Sequence, residues 1–327
     1  MKKSTILVYI VVTAIVVVPY IAAGWSELPV DENFRMQAPG EFVQITNGKI
    51  HYRWLGSQSG EIIVLVHGVS VPQYVFSQTA AALVDSGYRV LLFDHFGHGY
   101  SDRPVAEYDA DFFDQQMVEV LNALGLHEPV NLGALSMGGV IAADFTARHP
   151  ERVKTLTLFA PAGLRLVNDN DSALVSLMKA PVIGNWLWRI VARDFYFPED
   201  DDNTAVQDIV SDESMQGVPE RQADYEGYLM AQRQIFRNLR LSHRDDLLTA
   251  IASTSVPVLG IFGDADDTIS LESAALLRDL IPRARVEIIS GGTHHLNIHR
   301  WREVRDFMLS FLHNNGAMQL PADAQTE

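Results

Sequence analysis

A serine at position 136 stands where an apolar, strand-like run gives way to a helical pattern. The residues around it are Ala134-Leu135-Ser136-Met137-Gly138, whereas the motif that presents a serine nucleophile on a sharp strand-to-helix turn is G-x-S-x-G. Alanine is the smallest substitute for the first glycine, so the turn is still sterically feasible. A helix beginning at Met137 would also aim backbone N–H groups at a negative charge. The pattern therefore favours Ser136 as a nucleophile over an ordinary loop serine.

Backbone donors for a developing oxyanion are predicted in a second loop, "LVHGVS" at 65–70. Gly68 lets the chain turn sharply after a strand, so that the N–H of Val69 can point towards Ser136. Together with the N–H of Met137, it would form an oxyanion hole. His67 is interpreted as structural, because an imidazole at a strand–loop corner commonly bonds to nearby backbone groups.

Candidate acid and base residues follow the last two predicted strands. "FGDADDTIS" (262–270) offers three aspartates. Asp264 can hold the turn directly after the strand, Asp266 can reach across to a histidine, and Asp267 is one residue out of phase. "SGGTHHLNIH" (290–299) offers His294 and His295. A serine, an aspartate and a histidine at three strand ends could form a nucleophile, an orienting carboxylate and a general base.

The loop "FDHFGHGYSDRP" (93–104) also concentrates polar residues, namely Asp94, His98, Ser101, Asp102 and Arg103. A metal or phosphate site is the alternative reading. No helix begins there with the spacing of a phosphate cradle, so we interpret the segment as a structural loop near the site. No zinc-type ligand spacing occurs in the chain, and neither a metal nor a cofactor is predicted.

The elements that would position these residues are short apolar strands alternating with helices. Strands are predicted at 61–68, 88–94, 129–135, 153–160, 256–264 and 285–290, and helices at 76–87, 111–125, 137–149 and 300–312. A hairpin is predicted around Asn47-Gly48. This alternation indicates a mostly parallel sheet flanked by helices on both faces.

The alternation stops after Pro161 for about ninety residues that are rich in aromatic side chains and carry the acidic run 199–203. Such an insertion between two strands indicates a helical cap over the edge where ligands bind. The predicted segments are an anchor or signal peptide (1–25), the first core part (40–161), the cap (162–250), the second core part (251–313) and a loose tail (314–327).

The first 25 residues open with Lys2 and Lys3. The 18 positions at 6–23 that follow carry no charge and are nearly all apolar. This length favours a transmembrane anchor, and a signal peptide cut near Ala22-Ala23-Gly24 is the alternative. Both readings place the bulk of the chain outside the cytoplasm. The formal net charge of −16 makes nucleic acid an unsuitable partner, and the lack of cysteine excludes disulfides.

From residue 42 to 313 the chain resembles the α/β-hydrolase fold superfamily, on the segments "LVHG", "FDHFGHGYSDRP", "ALSMGG", "IFGDADD" and "GGTHHL" in that order. The resemblance implies Ser136 as nucleophile, His294 as base, Asp266 as its partner, and Val69 and Met137 as oxyanion donors. The register of the last helix relative to related hydrolases favours His294 over His295, which would point towards the cap or solvent.

A serine rather than an aspartate at position 136 argues against the haloalkane dehalogenases and epoxide hydrolases of that superfamily. The leading expectation is a membrane-anchored or exported carboxylic ester hydrolase acting on apolar, lipid-like esters. The first alternative is a carbon–carbon bond hydrolase of ring-cleavage products. The second is a binding module without catalytic activity, which an intact triad disfavours.

Overall fold

The computed structural model describes residues 27–169, 173–196 and 222–315, together with isolated positions between 5 and 21. Most of the predicted anchor lies outside these residues, as do the acidic run 199–203 and the tail from 316. Within the part of the chain that is described, no helix is long and apolar enough to cross a membrane. The anchor stays a prediction.

A single eight-stranded sheet forms the centre of the molecule, in the spatial order β1-β2-β4-β3-β5-β6-β7-β8. The strands are β1 (Glu41–Ile45), β2 (Gly48–Leu55), β3 (Ile62–Val66), β4 (Arg89–Phe93), β5 (Val130–Leu135), β6 (Val153–Phe159), β7 (Val258–Gly263) and β8 (Arg285–Ile289). All pairings from β4 to β8 are parallel, and β1 and β2 are antiparallel at one edge. All six residues of β5 are buried, as expected for a strand covered on both faces.

Eleven α-helices are present in the described ranges. They are α1 (Glu32–Arg35), α2 (Ser77–Asp85), α3 (Ala110–Ala123), α4 (Met137–Arg148), α5 (Ala173–Lys179), α6 (Ile183–Tyr196), α7 (Tyr228–Asn238), α8 (Asp245–Ala252), α9 (Glu272–Leu280), α10 (Leu296–His299) and α11 (Trp301–Asn314). Helices α2, α10 and α11 contact one another, and α3, α4, α8 and α9 form a second series of contacts. These two layers cover the sheet, which confirms the predicted fold class.

The edge hairpin differs from its prediction by one residue. Ile45 pairs with Gly48, so the two-residue loop is Thr46-Asn47, and Gly48 begins β2 with φ +140°. A Cβ at Gly48 would lie 2.7 Å from the carboxylate of Asp102, which accepts the N–H of Lys49 at 2.8 Å. The glycine is therefore needed both for its positive φ beside the turn and for the close approach of Asp102.

The insertion between β6 and β7 is closed by backbone hydrogen bonds at its base. Gly163 N–H donates to Leu241 O (2.7 Å), and Arg244 N–H donates to Gly163 O (2.7 Å). Helices α5, α6 and α7 pack together above this base around a small core of their own, which includes Trp188 and Tyr228. Helix α8 contacts the core helix α4, so it lies outside the cap although the predicted cap, 162–250, extends into it.

Candidate active site

Ser136 joins the end of β5 to the start of α4 in a backbone conformation that residues other than glycine rarely adopt. Its φ is +50° and its ψ is −118°, a kind of strain that costs about 1–3 kcal/mol and persists only where the surroundings enforce it. Its N–H donates to Phe159 O (3.1 Å), and its carbonyl accepts from Ala162 N–H (3.0 Å). The turn at Ser136 is therefore fixed by the neighbouring strand.

Two glycines after Ser136 allow the start of α4 to approach the sheet. A Cβ at Gly138 would lie 2.6 Å from His67 O, and one at Gly139 would lie 2.7 Å from Pro161 Cβ. Real Cβ atoms do not come this close to other heavy atoms, so neither position has room for a side chain. The glycine that the G-x-S-x-G motif places two residues after the serine thus has a direct steric cause.

The structure brings together the serine, histidine and aspartate that the sequence singles out. His294 Nε2 lies 3.0 Å from Ser136 Oγ, and His294 Nδ1 lies 3.1 Å from Asp266 Oδ2. The three residues follow β5, β8 and β7 respectively, so each lies at the carboxyl end of a parallel strand. Since the base is bonded both to the hydroxyl and to a carboxylate, the arrangement can deprotonate the serine and stabilise the resulting imidazolium.

The carboxylate of Asp266 is buried, with its side chain 2% exposed. Burial opposes its ionisation, but the hydrogen bond from His294 and those from the N–H groups of Ile269 and Thr268 outweigh burial, and the pKa of Asp266 is lowered. A carboxylate that stays ionised at neutral pH is what an orienting partner of a histidine requires.

The other two aspartates of this loop have different surroundings. Asp264 accepts hydrogen bonds from Gly291 N–H (2.6 Å) and Ser290 Oγ (3.2 Å), so it ties the end of β7 to the end of β8. Asp267 is exposed and accepts only a local bond, from Thr268 Oγ1, at 3.2 Å. Neither carboxylate has a hydrogen bond to His294 in the described structure.

His295 lies beside His294, with 5.6 Å between the ring centroids. It is partly buried instead of reaching solvent, and burial, followed by the proximity of His294, lowers the pKa of His295 to about 4. Its Nδ1 atom has no hydrogen-bond partner among the described residues. His295 is thus a neutral imidazole next to the base, without a bond to the serine.

The predicted oxyanion donors lie on the two chain segments nearest Ser136. A Cβ on Gly68 would be 3.2 Å from the Cβ of Ser136, so the backbone that leads into Val69 passes directly over the serine. Met137 is the first residue of α4, and N–H groups in the first turn of a helix have no intrahelical acceptor. Both segments are therefore positioned to present N–H groups beside the serine hydroxyl.

The polar loop after β4 forms a buried hydrogen-bond network. Asp94 Oδ2 lies 2.7 Å from His51 Nδ1, and Oδ1 accepts the N–H of Gln73 at 2.9 Å. Ser101 Oγ donates to Asp94 O at 2.6 Å. In the described residues no group of three or more His, Asp or Glu side chains is arranged to hold a metal ion. The local sequence gives no signal for His51, because its partner is 43 positions away.

Three histidines form a second buried cluster beneath the site. The ring centroid of His67 lies 4.5 Å from that of His95 and 5.0 Å from that of His98, and none of the three is exposed. His67 Nδ1 is bonded to Gly68 O, and its Nε2 accepts the N–H of His95. Burial lowers the pKa of all three imidazoles, that of His98 to about 3. His67 is therefore neutral, and both of its ring nitrogens are hydrogen-bonded to backbone groups.

Trp188 shows how an aromatic residue of the cap takes part in internal packing. Trp188 is buried, its indole N–H donates to Leu229 O at 2.6 Å, and its ring centroid lies 5.9 Å from that of Phe236. Trp188 therefore connects cap helices to each other. Phe197 lies outside the described residues, as do the side chains of Phe195 and Tyr196.

Comparisons with known proteins agree with this fold. A family model described as the alpha/beta hydrolase fold matches residues 61–300. A Synechocystis protein whose name assigns it provisionally to the non-heme chloroperoxidases is 30% identical over 80% of this chain and 94% of its own. Lipase 3 of Moraxella is 27% identical over 75% of each chain. The solved structure of a meta-cleavage product hydrolase from Pseudomonas fluorescens superimposes with a TM-score of 0.63, at 23% identity, over 84% of this chain and 98% of that one.

Proposed function

Because the chain belongs to the α/β hydrolase fold family, we propose that it is a serine hydrolase that cleaves carboxylic esters through an acyl-enzyme intermediate. The observation that carries this proposal is the continuous hydrogen-bonded series from Ser136 through His294 to Asp266. Its nucleophile lies on a strained turn, where the hydroxyl is presented to a ligand at the carboxyl edge of the sheet.

The geometry supports a two-step reaction. Ser136 Oγ attacks the carbonyl carbon of the ester while His294 Nε2 takes the hydroxyl proton, and the carbonyl oxygen becomes an oxyanion facing the N–H groups of Val69 and Met137. The tetrahedral intermediate collapses, and the leaving alcohol takes the proton from His294. Water then attacks the acyl group with His294 again as base, which releases the acid and restores the serine.

The ester class is supported by the similarity to Lipase 3, which extends over three quarters of the chain. Lipid-like substrates are a narrower proposal, supported by the apolar N-terminal segment. Trp188 gives this narrower proposal no support, because its hydrogen bond and ring contact lie inside the cap. A carbon–carbon hydrolase would use the same three residues, so substrate tests must separate the two reactions.

Two experiments test the proposal in sequence. A fluorophosphonate probe should label the wild-type protein at Ser136 and leave the Ser136→Ala variant unlabelled, which separates an enzyme from a binding module. A chain-length series of nitrophenyl esters is then compared with a vinylogous diketone of the ring-cleavage type. Faster turnover of the esters supports the proposal, whereas turnover of the diketone alone would show that the protein is a carbon–carbon bond hydrolase.

For the location of the protein we propose an anchored or exported catalytic domain outside the cytoplasm. The support is the sequence of the first 25 residues, in which Lys2 and Lys3 precede the apolar run. A reporter that is active only outside the cytoplasm, fused after residue 327, should be active. N-terminal sequencing of the mature protein separates anchor from signal peptide, since a cleaved chain would begin near Trp25.

A further inference from the structure

The loop that carries the oxyanion donor Val69 contains a strained turn of its own. Val71 N–H donates to Val69 O at 2.8 Å, and the residue between them, Ser70, has φ +61°. A three-residue turn with a positive central φ is the rare and strained kind of γ-turn. Such a conformation persists only when its surroundings enforce it, so the neighbours of Ser70 determine where the N–H of Val69 points.

Two side chains from distant parts of the sequence hold this loop. At its far end, Gln73 N–H donates to the buried carboxylate of Asp94 at 2.9 Å. At the turn itself, the side-chain amide of Gln222 donates from Nε2 to Ser70 O at 3.1 Å. Gln222 is only 2% exposed and belongs to the inserted segment, 152 positions from Ser70.

Gln222 is itself held by the loop that follows β4. Its Oε1 accepts the N–H of Gly99 at 2.8 Å. Arg103 Nη1 donates to Tyr225 O at 3.0 Å and Glu226 O at 3.1 Å, and it lies 3.5 Å from Gln222 O. The amide is therefore bonded to the core through both its oxygen and its nitrogen, and these bonds set its orientation.

We propose that Gln222 is a positioning residue of the oxyanion hole. By bonding to Ser70 O, it keeps the strained turn in place and so aims the N–H of Val69 at the oxygen of the tetrahedral intermediate. This inference rests on the proposed hydrolase function and adds that the cap is a structural part of the oxyanion hole. The polar loop 93–104 contributes to this positioning, because Gly99 N–H bonds to the oxygen of the Gln222 amide.

The test compares Gln222→Met with the matched variant Gln232→Met. Gln232 is also a buried cap glutamine bonded to the core, through its Nε2 to His98 Nε2 at 3.0 Å. In the described structure it has no hydrogen bond to the loop that carries Val69. Loss of a single oxyanion donor costs about 10²–10³ in kcat, so misdirection of Val69 in Gln222→Met should lower kcat about 10- to 100-fold. KM should change little, and affinity for a boronic acid inhibitor should fall in proportion to kcat.

Gln232→Met should keep both kcat and boronic acid affinity within about threefold of wild type, a difference of less than 1 kcal/mol. Equal losses in the two variants, or an unchanged boronic acid affinity in Gln222→Met, would overturn the positioning role. If wild type neither reacts with the fluorophosphonate nor turns over esters, the hydrolase proposal fails first and takes this one with it.

Two further variants test the positioning role, so that the proposal does not depend on how well Gln222→Met folds. Glycine adopts a positive φ without steric cost, so Ser70→Gly should relieve the strain that Gln222 otherwise holds. The double variant Ser70→Gly, Gln222→Met should therefore regain part of the kcat lost in Gln222→Met. Gln222→Glu keeps an acceptor for Gly99 but removes the donor to Ser70, and it should show the same loss of kcat. Full activity in Gln222→Glu would contradict the proposal.

Discussion

His294 Nε2 lies 3.0 Å from Ser136 Oγ, although 158 positions separate the two residues in the sequence. The adjacent His295 is a partly buried neutral imidazole whose Nδ1 has no partner in the described structure. Two neighbouring histidines thus occupy different chemical environments, and only one of them can transfer the proton of the serine.

His294→Ala should lower kcat/KM nearly as much as Ser136→Ala, by a factor on the order of 10⁴–10⁶, because members of a triad act as a unit. His295→Ala should retain activity within about tenfold of wild type, since it removes packing but no proton transfer. Steady-state kinetics on a nitrophenyl ester measures both variants, and thermal unfolding checks that each is folded. The opposite ranking of the two variants would assign the base to His295.

Asp266→Asn should lower kcat by about 10⁴, because an amide cannot stabilise the imidazolium or hold the required tautomer. Asp264→Asn and Asp267→Asn are the matched controls, since they make the same change within the same loop. Asp264→Asn should reduce thermal stability through its bonds to Gly291 and Ser290, with only a modest loss of activity. Asp267→Asn should be close to wild type in both measurements. A loss of activity in Asp267→Asn as large as that in Asp266→Asn would contradict this assignment.

Residues at the ends of apolar strands can be identified from a local sequence pattern, whereas residues of buried polar networks cannot. Ser136, Asp266 and His294 could be predicted because each follows an apolar strand, and strand ends in a parallel sheet meet at one edge. His51 and Gln222 could not, because their partners lie 43 and 152 positions away and no periodicity marks them. Buried polar networks depend on the assembled fold, so sequence patterns identify the candidate reacting groups but not the residues that hold them.

Gly138→Ala should destabilise the protein by about 1–3 kcal/mol, the usual cost of overpacking a well-packed site. The added methyl group would meet the carbonyl oxygens of Val66 and His67, which belong to backbone and cannot rotate away. Gly125→Ala is a contrasting variant, because Gly125 has φ +73° and open space around it, so any loss there comes from backbone conformation and not from packing. Urea unfolding of both variants gives the comparison. A free energy of unfolding of Gly138→Ala equal to that of wild type would show that the start of α4 has room for the added methyl group.

The histidine cluster predicts a loss of stability in mild acid. Burial, and then the proximity of His67, lowers the pKa of His98 to about 3, whereas an unfolded histidine has a pKa of about 6.5. Between these two values the unfolded chain binds the proton and the folded chain does not. The contribution of His98 is therefore fully present above pH 6.5 and is lost progressively as the pH falls towards 3. At pH 5 the loss from His98 alone is about 2 kcal/mol.

His98→Gln removes this proton uptake, so its free energy of unfolding should fall less than that of wild type between pH 7.5 and pH 5.0. The difference between the two decreases should be about 2 kcal/mol, measured by urea unfolding at both pH values. The variant also alters the bonds to Phe96 and Gln232. The comparison therefore uses the change in the free energy of unfolding between the two pH values and not its absolute value at pH 7.5. His127→Gln, at an exposed position, should leave the decrease unchanged. Equal decreases in wild type and His98→Gln would mean that His98 does not resist protonation in the folded state.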